Sequence, residues 1–284
     1  RTLSRMPHRP IRLLLAALTA AACTTPSCTP TPTPAPSSAA STLDAELARL
    51  DLAGAIVIET LDGSGRWTGH TGGPGLDAPS VPASTFKILN TLIALETGVA
   101  RPDTPFPWDG VERFVPAWNQ DLTLREAFRV SAVPVYQEIA RRIGHDRMAH
   151  WVRAAGYGNA AIGDETGIDR FWLDGPLAVT PEQQIDFLRR LLTDDHPFSN
   201  ETIAALREIM VVESTDAWTL RAKTGWDDQG ARGWYVGFLE RGPDAAETWL
   251  FALRIDMPDA GLAPRRHELA MACLRRVGAV PPPR

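Results

Sequence analysis

The sequence predicts an α+β fold in which an antiparallel sheet is built from both terminal parts of the chain, with a helical region of about residues 83–200 inserted between them. Three observations lead there. Short β-branched and aromatic runs bounded by turn residues lie near both ends, helix-period segments fill the middle, and one more helix-period segment closes the chain. With 44% apolar and 22% charged residues, the chain can build a packed core, and global disorder is excluded.

The first residues are set apart from that fold. Arg1, Arg5, Arg9 and Arg12 precede the apolar stretch Leu13–Ala22, which ends in three alanines before Cys23. A basic start, a short apolar stretch and small residues describe a secretory signal over residues 1–22. Removing it takes away four Arg and no acid, so the net charge moves from −5 to −9. Cys23 at the cut resembles a bacterial lipoprotein site, although Ala20 stands where that motif usually has Leu. Two readings therefore stay open: a periplasmic protein anchored to the membrane through lipidated Cys23, or one freely secreted. Residues 23–42 are rich in Pro, Thr and Ser and carry no charge, which predicts an extended tether. The catalytic domain is expected over residues 43–284.

Within it, Ala53–Thr60 predicts a strand, Leu61–Gly65 a turn and Arg66–His70 the return strand of a hairpin. Pro82 precedes STFKILNTLIALETG, a helix pattern stopped by Gly98. Thr123–Ile143, interrupted near Pro134, and Pro181–Leu192 are also helical in pattern. From Leu220 onward LRAKTGW, GWYVGFLE and TWLFALRID predict strands, and Arg265–Val277 a closing helix.

Composition removes several function classes. A net charge of −5 does not suit nucleic acid. Three cysteines cannot form a disulfide scaffold, and the six histidines show no zinc-binding spacing. Of the 29 basic residues only Lys87 and Lys223 are lysines; the rest are Arg. Arginine has taken the sites where charge suffices, so the two lysines are candidates for chemistry that needs a neutral amine.

Both lysines lie in short motifs. Ser84-Thr85-Phe86-Lys87 is S-x-x-K and Lys223-Thr224-Gly225 is K-T-G. Together they arise by chance about once in several hundred cases on background composition. At i and i+3 on a helix, Ser84 and Lys87 share a face, and a base beside a serine hydroxyl makes it a nucleophile.

Further segments accompany them in order: PWDG at Pro107–Gly110, PAWNQDLTL at Pro116–Leu124, Ser131-Ala132-Val133, Tyr157-Gly158-Asn159, FWLDGPL at Phe171–Leu177, KTGW and GWYVGFLE. With PASTFKILNTLIALE these resemble the class D, oxacillinase-type, serine β-lactamases from about Ala53 to the C-terminus. The resemblance implies a fold of the serine β-lactamase and penicillin-binding-protein kind and hydrolysis of β-lactam antibiotics. It implies that Ser84 is acylated and that Lys87, carboxylated by CO2 or bicarbonate, is the general base, with no other cofactor. Phe86, Val133, Trp172 and Leu173 stand at the positions that line the carbamate pocket, and the Trp172 indole N–H would hold the carbamate. Ser131 would relay protons to the leaving nitrogen, with Lys223 supplying charge beside it. Thr224 and Arg265 would bind the substrate carboxylate, Arg266 being the neighbouring alternative. Gly225 and Trp226 would also line the substrate, and the Ser84 and Trp226 backbone N–H groups would receive the oxyanion.

Each short motif has a plainer explanation when taken singly: SAV an ordinary loop, YGN a turn, Trp172 a core residue. Glu165 in GDETGID reads as a solvated loop rather than a second base. A penicillin-binding transpeptidase or a β-lactam sensor that acylates without rapid turnover would share S-x-x-K and K-T-G. The F-W-L and Y-G-N segments favour the hydrolase.

Overall fold

The computed structural model describes residues 39–281 except 228; the segment read as a signal, and Cys23 with most of the tether, lie outside the described residues. Helix α1 (Ala39–Arg49) leads into β1 (Gly54–Thr60) and β2 (Arg66–Thr71). A 3-10 turn, Ala83–Phe86, opens α2 (Lys87–Glu96). Two short strands, β3 (Pro105–Phe106) and β4 (Leu122–Thr123), precede α3 (Leu124–Arg129), α4 (Val133–Ile143) and α5 (His145–Ala154). Then follow α6 (Pro181–Leu192), α7 (Asn200–Ile209), β5 (Val211–Ser214), β6 (Trp218–Asp227), β7 (Arg232–Arg241), β8 (Glu247–Asp256) and α8 (Ala263–Arg276). Helix α1 takes in Ala39–Thr42, part of the segment assigned to the tether; the prolines stop at Pro36, and Ala39-Ala40 suit a helix.

The main sheet is antiparallel with the order β2-β1-β8-β7-β6-β5, so strands from the two ends of the chain meet at its centre. β1 is buried on both faces because side chains alternate: Val57 joins the core under the helical region, while Ile56 and Ile58 join the core under α1 and α8. The same alternation divides β7, with Trp234, Val236 and Phe238 on the helical side and Tyr235 and Leu239 on the other. The helical region thus forms one layer, the sheet the second, and α1 with α8 the third.

The sequence does not mark α5, α7 or β5: α5 follows α4 after a single residue, Gly144, and β5 is an edge strand with all four residues exposed. The break predicted near Pro134 falls just before it, at Val130–Ala132, where Ser131 has φ +57° and Pro134 sits in the first turn of α4.

Candidate active site

Pro82 and a strained backbone create the entry to α2. Ala83 has φ +48°, a left-handed conformation that L-residues hold only where the surroundings enforce it. The Thr85 hydroxyl donates to the Pro82 carbonyl at 2.7 Å and closes the turn. Ser84 is half-buried on it, and Lys87, one turn on, is fully buried. The Lys87 Nζ donates to the Ser84 Oγ at 2.6 Å, as the i, i+3 spacing predicts.

Burial, and then the charge of Lys223, hold the Lys87 amine well below the usual lysine range. Its surroundings are aromatic. Nζ lies 5.3 Å from the centre of the Tyr136 ring, and Phe86 stacks on Trp172 at 5.4 Å. Trp172 is fully buried, and its Nε1 has no hydrogen-bond partner among the described residues. A buried donor without a partner is uncommon and calls for an explanation. Leu173 and Val133 are half-buried, Leu173 against the helical core and Val133 at the start of α4.

On the other side, β6 runs beside the Ala83–Phe86 turn. Gly225 makes the closest approach: a Cβ there would stand 2.9 Å from the Pro82 carbonyl oxygen and 3.1 Å from Thr85 Cγ2. Lys223 is buried, its Nζ bonding the Thr224 carbonyl and hydroxyl and lying 5.5 Å from the Phe128 ring centre. Phe128 stands in the last turn of α3, three residues before Ser131, whose own N–H bonds the Phe128 carbonyl. Burial, and next the charge of Arg266, lower Lys223 to about 7. The Trp226 indole bonds the Met257 carbonyl at 3.1 Å, which turns that side chain toward the α1–α8 layer.

Arg265 is not beside this strand. It is exposed and pairs with Glu268 on the outer face of α8. Arg266, its neighbour, is the one that reaches β6: it is buried, with Nη1 donating to the Gly225 carbonyl at 2.6 Å, and burial lowers it to about 10. Helix phase separates the two, since Arg266, Leu269, Ala270 and Cys273 form the buried stripe. Lys87, Lys223 and Arg266 have no carboxylate partner among the described residues, so no counter-ion offsets the burial that lowers all three.

The Y-G-N segment braces the site from behind. Asn159 donates to the Pro176 carbonyl and exchanges bonds with Ala178, closing the loop that carries Trp172. Gly158 has φ +56° and lies so close to the Ala178 carbonyl that a Cβ would clash at 2.3 Å. Fully buried Tyr157 reaches Gln184 of α6, and Gln184 reaches Thr85. Gln184 has no place in the motifs above, yet one signal points to it: it is the polar member of α6's buried stripe, with Pro181, Ile185, Leu188 and Leu191. Glu165 is exposed in the Glu165–Gly167 turn, as expected of a solvated loop.

Residues 76–272 match the transpeptidase domain of penicillin-binding proteins. The chain is 42% identical over 205 residues to β-lactamase OXA-3 of Pseudomonas aeruginosa, covering 71% of each chain. It is 37% identical over 204 residues to β-lactamase OXA-48 of Klebsiella pneumoniae, covering 71% of this chain and 75% of that one. Among solved structures, the class D β-lactamase YbXI from Nostoc superposes with a TM-score of 0.79 at 41% identity, over 83% of this chain and 98% of that chain. FUS-1 (OXA-85), a class D β-lactamase from Fusobacterium nucleatum, gives 0.78 at 32% identity, over 84% and 98%.

Proposed function

The chain belongs to the class D β-lactamases, and on that premise we propose that it opens the β-lactam ring through an acyl-enzyme on Ser84. The observation that carries this is the 2.6 Å bond between the Ser84 hydroxyl and the fully buried Lys87 amine. A neutral amine can take up CO2, and a carboxylated Lys87 would supply the general base. The surroundings fit that group: aromatic side chains, a lysine whose proton affinity burial lowers well below the usual range, and the unpartnered Trp172 N–H as a donor.

In this mechanism Ser84 Oγ, relieved of its proton, bonds to the lactam carbonyl carbon. The backbone N–H groups of Ser84 and Trp226 receive the charge on the carbonyl oxygen. The ring C–N bond breaks and the nitrogen takes up a proton through Ser131, beside Lys223. Thr224 and Arg266 bind the substrate carboxylate. Water then adds to the ester carbon, Ser84 leaves with a proton, and the opened acid departs. Arg266 replaces Arg265 in this assignment because only Arg266 faces the K-T-G strand. Export through the segment 1–22 and attachment through Cys23 belong to the same proposal; no described helix is long and apolar enough to cross a membrane.

Nitrocefin turnover by the mature protein tests the hydrolase assignment, with many turnovers per molecule expected; a single burst would refute it. Intact mass spectrometry with a slow β-lactam is expected to show one adduct on the wild type and none on Ser84→Ala. The same spectra read the N-terminus, expected at or near Cys23.

A further inference from the structure

We propose that Gln184 is a positioning residue for acylation, acting through Thr85 on the turn that presents Ser84; the inference rests on the acyl-enzyme reading above. Gln184 lies wholly inside the protein. Its Nε2 donates to Thr85 Oγ1 at 3.0 Å and to Tyr157 Oη at 3.1 Å, while Tyr157 Oη donates back to Gln184 Oε1 at 3.3 Å. Thr85 Oγ1 commits its one proton to the Pro82 carbonyl, at 2.7 Å. The direction of the Gln184–Thr85 bond is therefore set: the amide donates and the hydroxyl accepts. One side-chain amide ties the Y-G-N segment and α6 to Thr85 and, through its hydroxyl, to Pro82, so that the bonds span the left-handed Ala83 and Ser84 from both ends.

The rest of α6 is arranged to hold that amide still. Thr180 and Gln183 form a capping box, and Pro181 occupies the first helical position. Just before the cap, Val179 exchanges backbone bonds with Ser80 at 2.9 and 3.0 Å, so the strand entering the nucleophile turn and the entrance to α6 are already stitched together. In the first turn of the helix Glu182 pairs with Arg66 of β2, and in its last turn Arg189 pairs with buried Glu59 of β1. Gln184 is the one polar side chain on the helix's buried stripe, and it points at the residue next to the nucleophile.

None of the groups in this network titrates in the neutral range: Gln184 and Thr85 do not ionise, and burial raises Tyr157 above its ordinary value. The network holds position and carries no proton. Its loss should slow attack by Ser84 without changing how Lys87 responds to pH or CO2, because a misplaced nucleophile reacts more slowly even when its base is intact.

The test measures the acylation rate by stopped flow or by the time course of adduct mass. Gln184→Met keeps the volume and removes the bonds, and is expected to acylate about 10- to 100-fold more slowly. Its pH profile and bicarbonate requirement should match the wild type. Thr85→Val should show the same loss, Thr85→Ser should restore the rate, and Gln184→Met with Thr85→Val should be no slower than either alone, since both remove one connection. Circular dichroism checks each fold, and the Thr85 pair carries the test if Gln184→Met does not fold. Wild-type acylation rates in both Gln184→Met and Thr85→Val would overturn the proposal, as would a shifted bicarbonate requirement, which would place Gln184 in the chemistry of Lys87. If the wild type itself forms no adduct, the acyl-enzyme reading fails, and this proposal with it.

Discussion

Lys223→Met should stabilise the protein while abolishing most turnover. Lys223 is buried and lowered from 10.5 to about 7. At pH 7 the unfolded chain carries this proton almost fully and the folded chain about half the time. Folding thus releases protons, and stability rises with pH from about 7 until the unfolded amine titrates. A tenfold change in proton affinity is worth about 1.4 kcal/mol, so the burden at pH 7 is about 4 kcal/mol, and at pH 9.5 it has shrunk to about 1 kcal/mol. Methionine has a similar length and no charge to desolvate, and it relieves the repulsion between Lys223 and Arg266. The variant should melt about 10 °C higher at pH 7 for a domain of this size. Calorimetry or urea unfolding of both proteins at the two pH values decides it. A variant no more stable at pH 7, or a gain that does not diminish by pH 9.5, would refute the reasoning.

Further outcomes are expected at the other charged groups. Lys87→Arg should lose turnover as fully as Lys87→Ala, about 10²–10⁴-fold, the usual loss when a general base is removed. Lys223→Arg should keep a measurable part. Wild-type activity should fall at acid pH, where the Lys87 amine gains a proton, and return with added bicarbonate; Trp172→Phe should need more bicarbonate for the same rate. These are read by nitrocefin assays across pH and bicarbonate concentration, and near-normal turnover in Lys87→Arg would end the carbamate mechanism. Arg266→Ala should raise KM at least tenfold for carboxylate-bearing β-lactams, as expected when a charged hydrogen bond is lost, whereas Arg265→Ala should leave steady-state kinetics as they are.

The pattern of legibility has physical causes. α6 is readable at both ends because Thr180 and Pro181 mark its start and the apolar stripe repeats at helical period. The hairpin β1–β2 and the strands β6 to β8 are readable because β-branched and aromatic runs are bounded by turns. β5 is not, since an exposed edge strand has no buried face to impose alternation. The pairing of Ser84 with Lys87 comes from helical spacing alone, and the family motifs point to Phe86 and Trp172, whereas Tyr136, whose ring centre lies 5.3 Å from Lys87 Nζ, requires the fold because it comes from α4. Motif spacing does not separate Arg265 from Arg266, adjacent residues of one chemistry. Helix phase does, because a rotation of about 100° per residue sends one to solvent and its neighbour to the sheet.

The pairing of β1 with β8 also has a direction in time. Gly54 meets Ile255, about 200 residues later, so a chain emerging from the ribosome cannot close its sheet until nearly all of it has been synthesised. The nascent hairpin has a bare edge for that whole interval and must wait, unfolded or guarded, for its partner. Joining the α8 end to the start of α1, which pack in the same layer, and opening the chain at the exposed Thr193–Asp195 segment would make that distant pairing a local one. A circular permutant of this design should fold faster than its parent while keeping the same nucleophile turn.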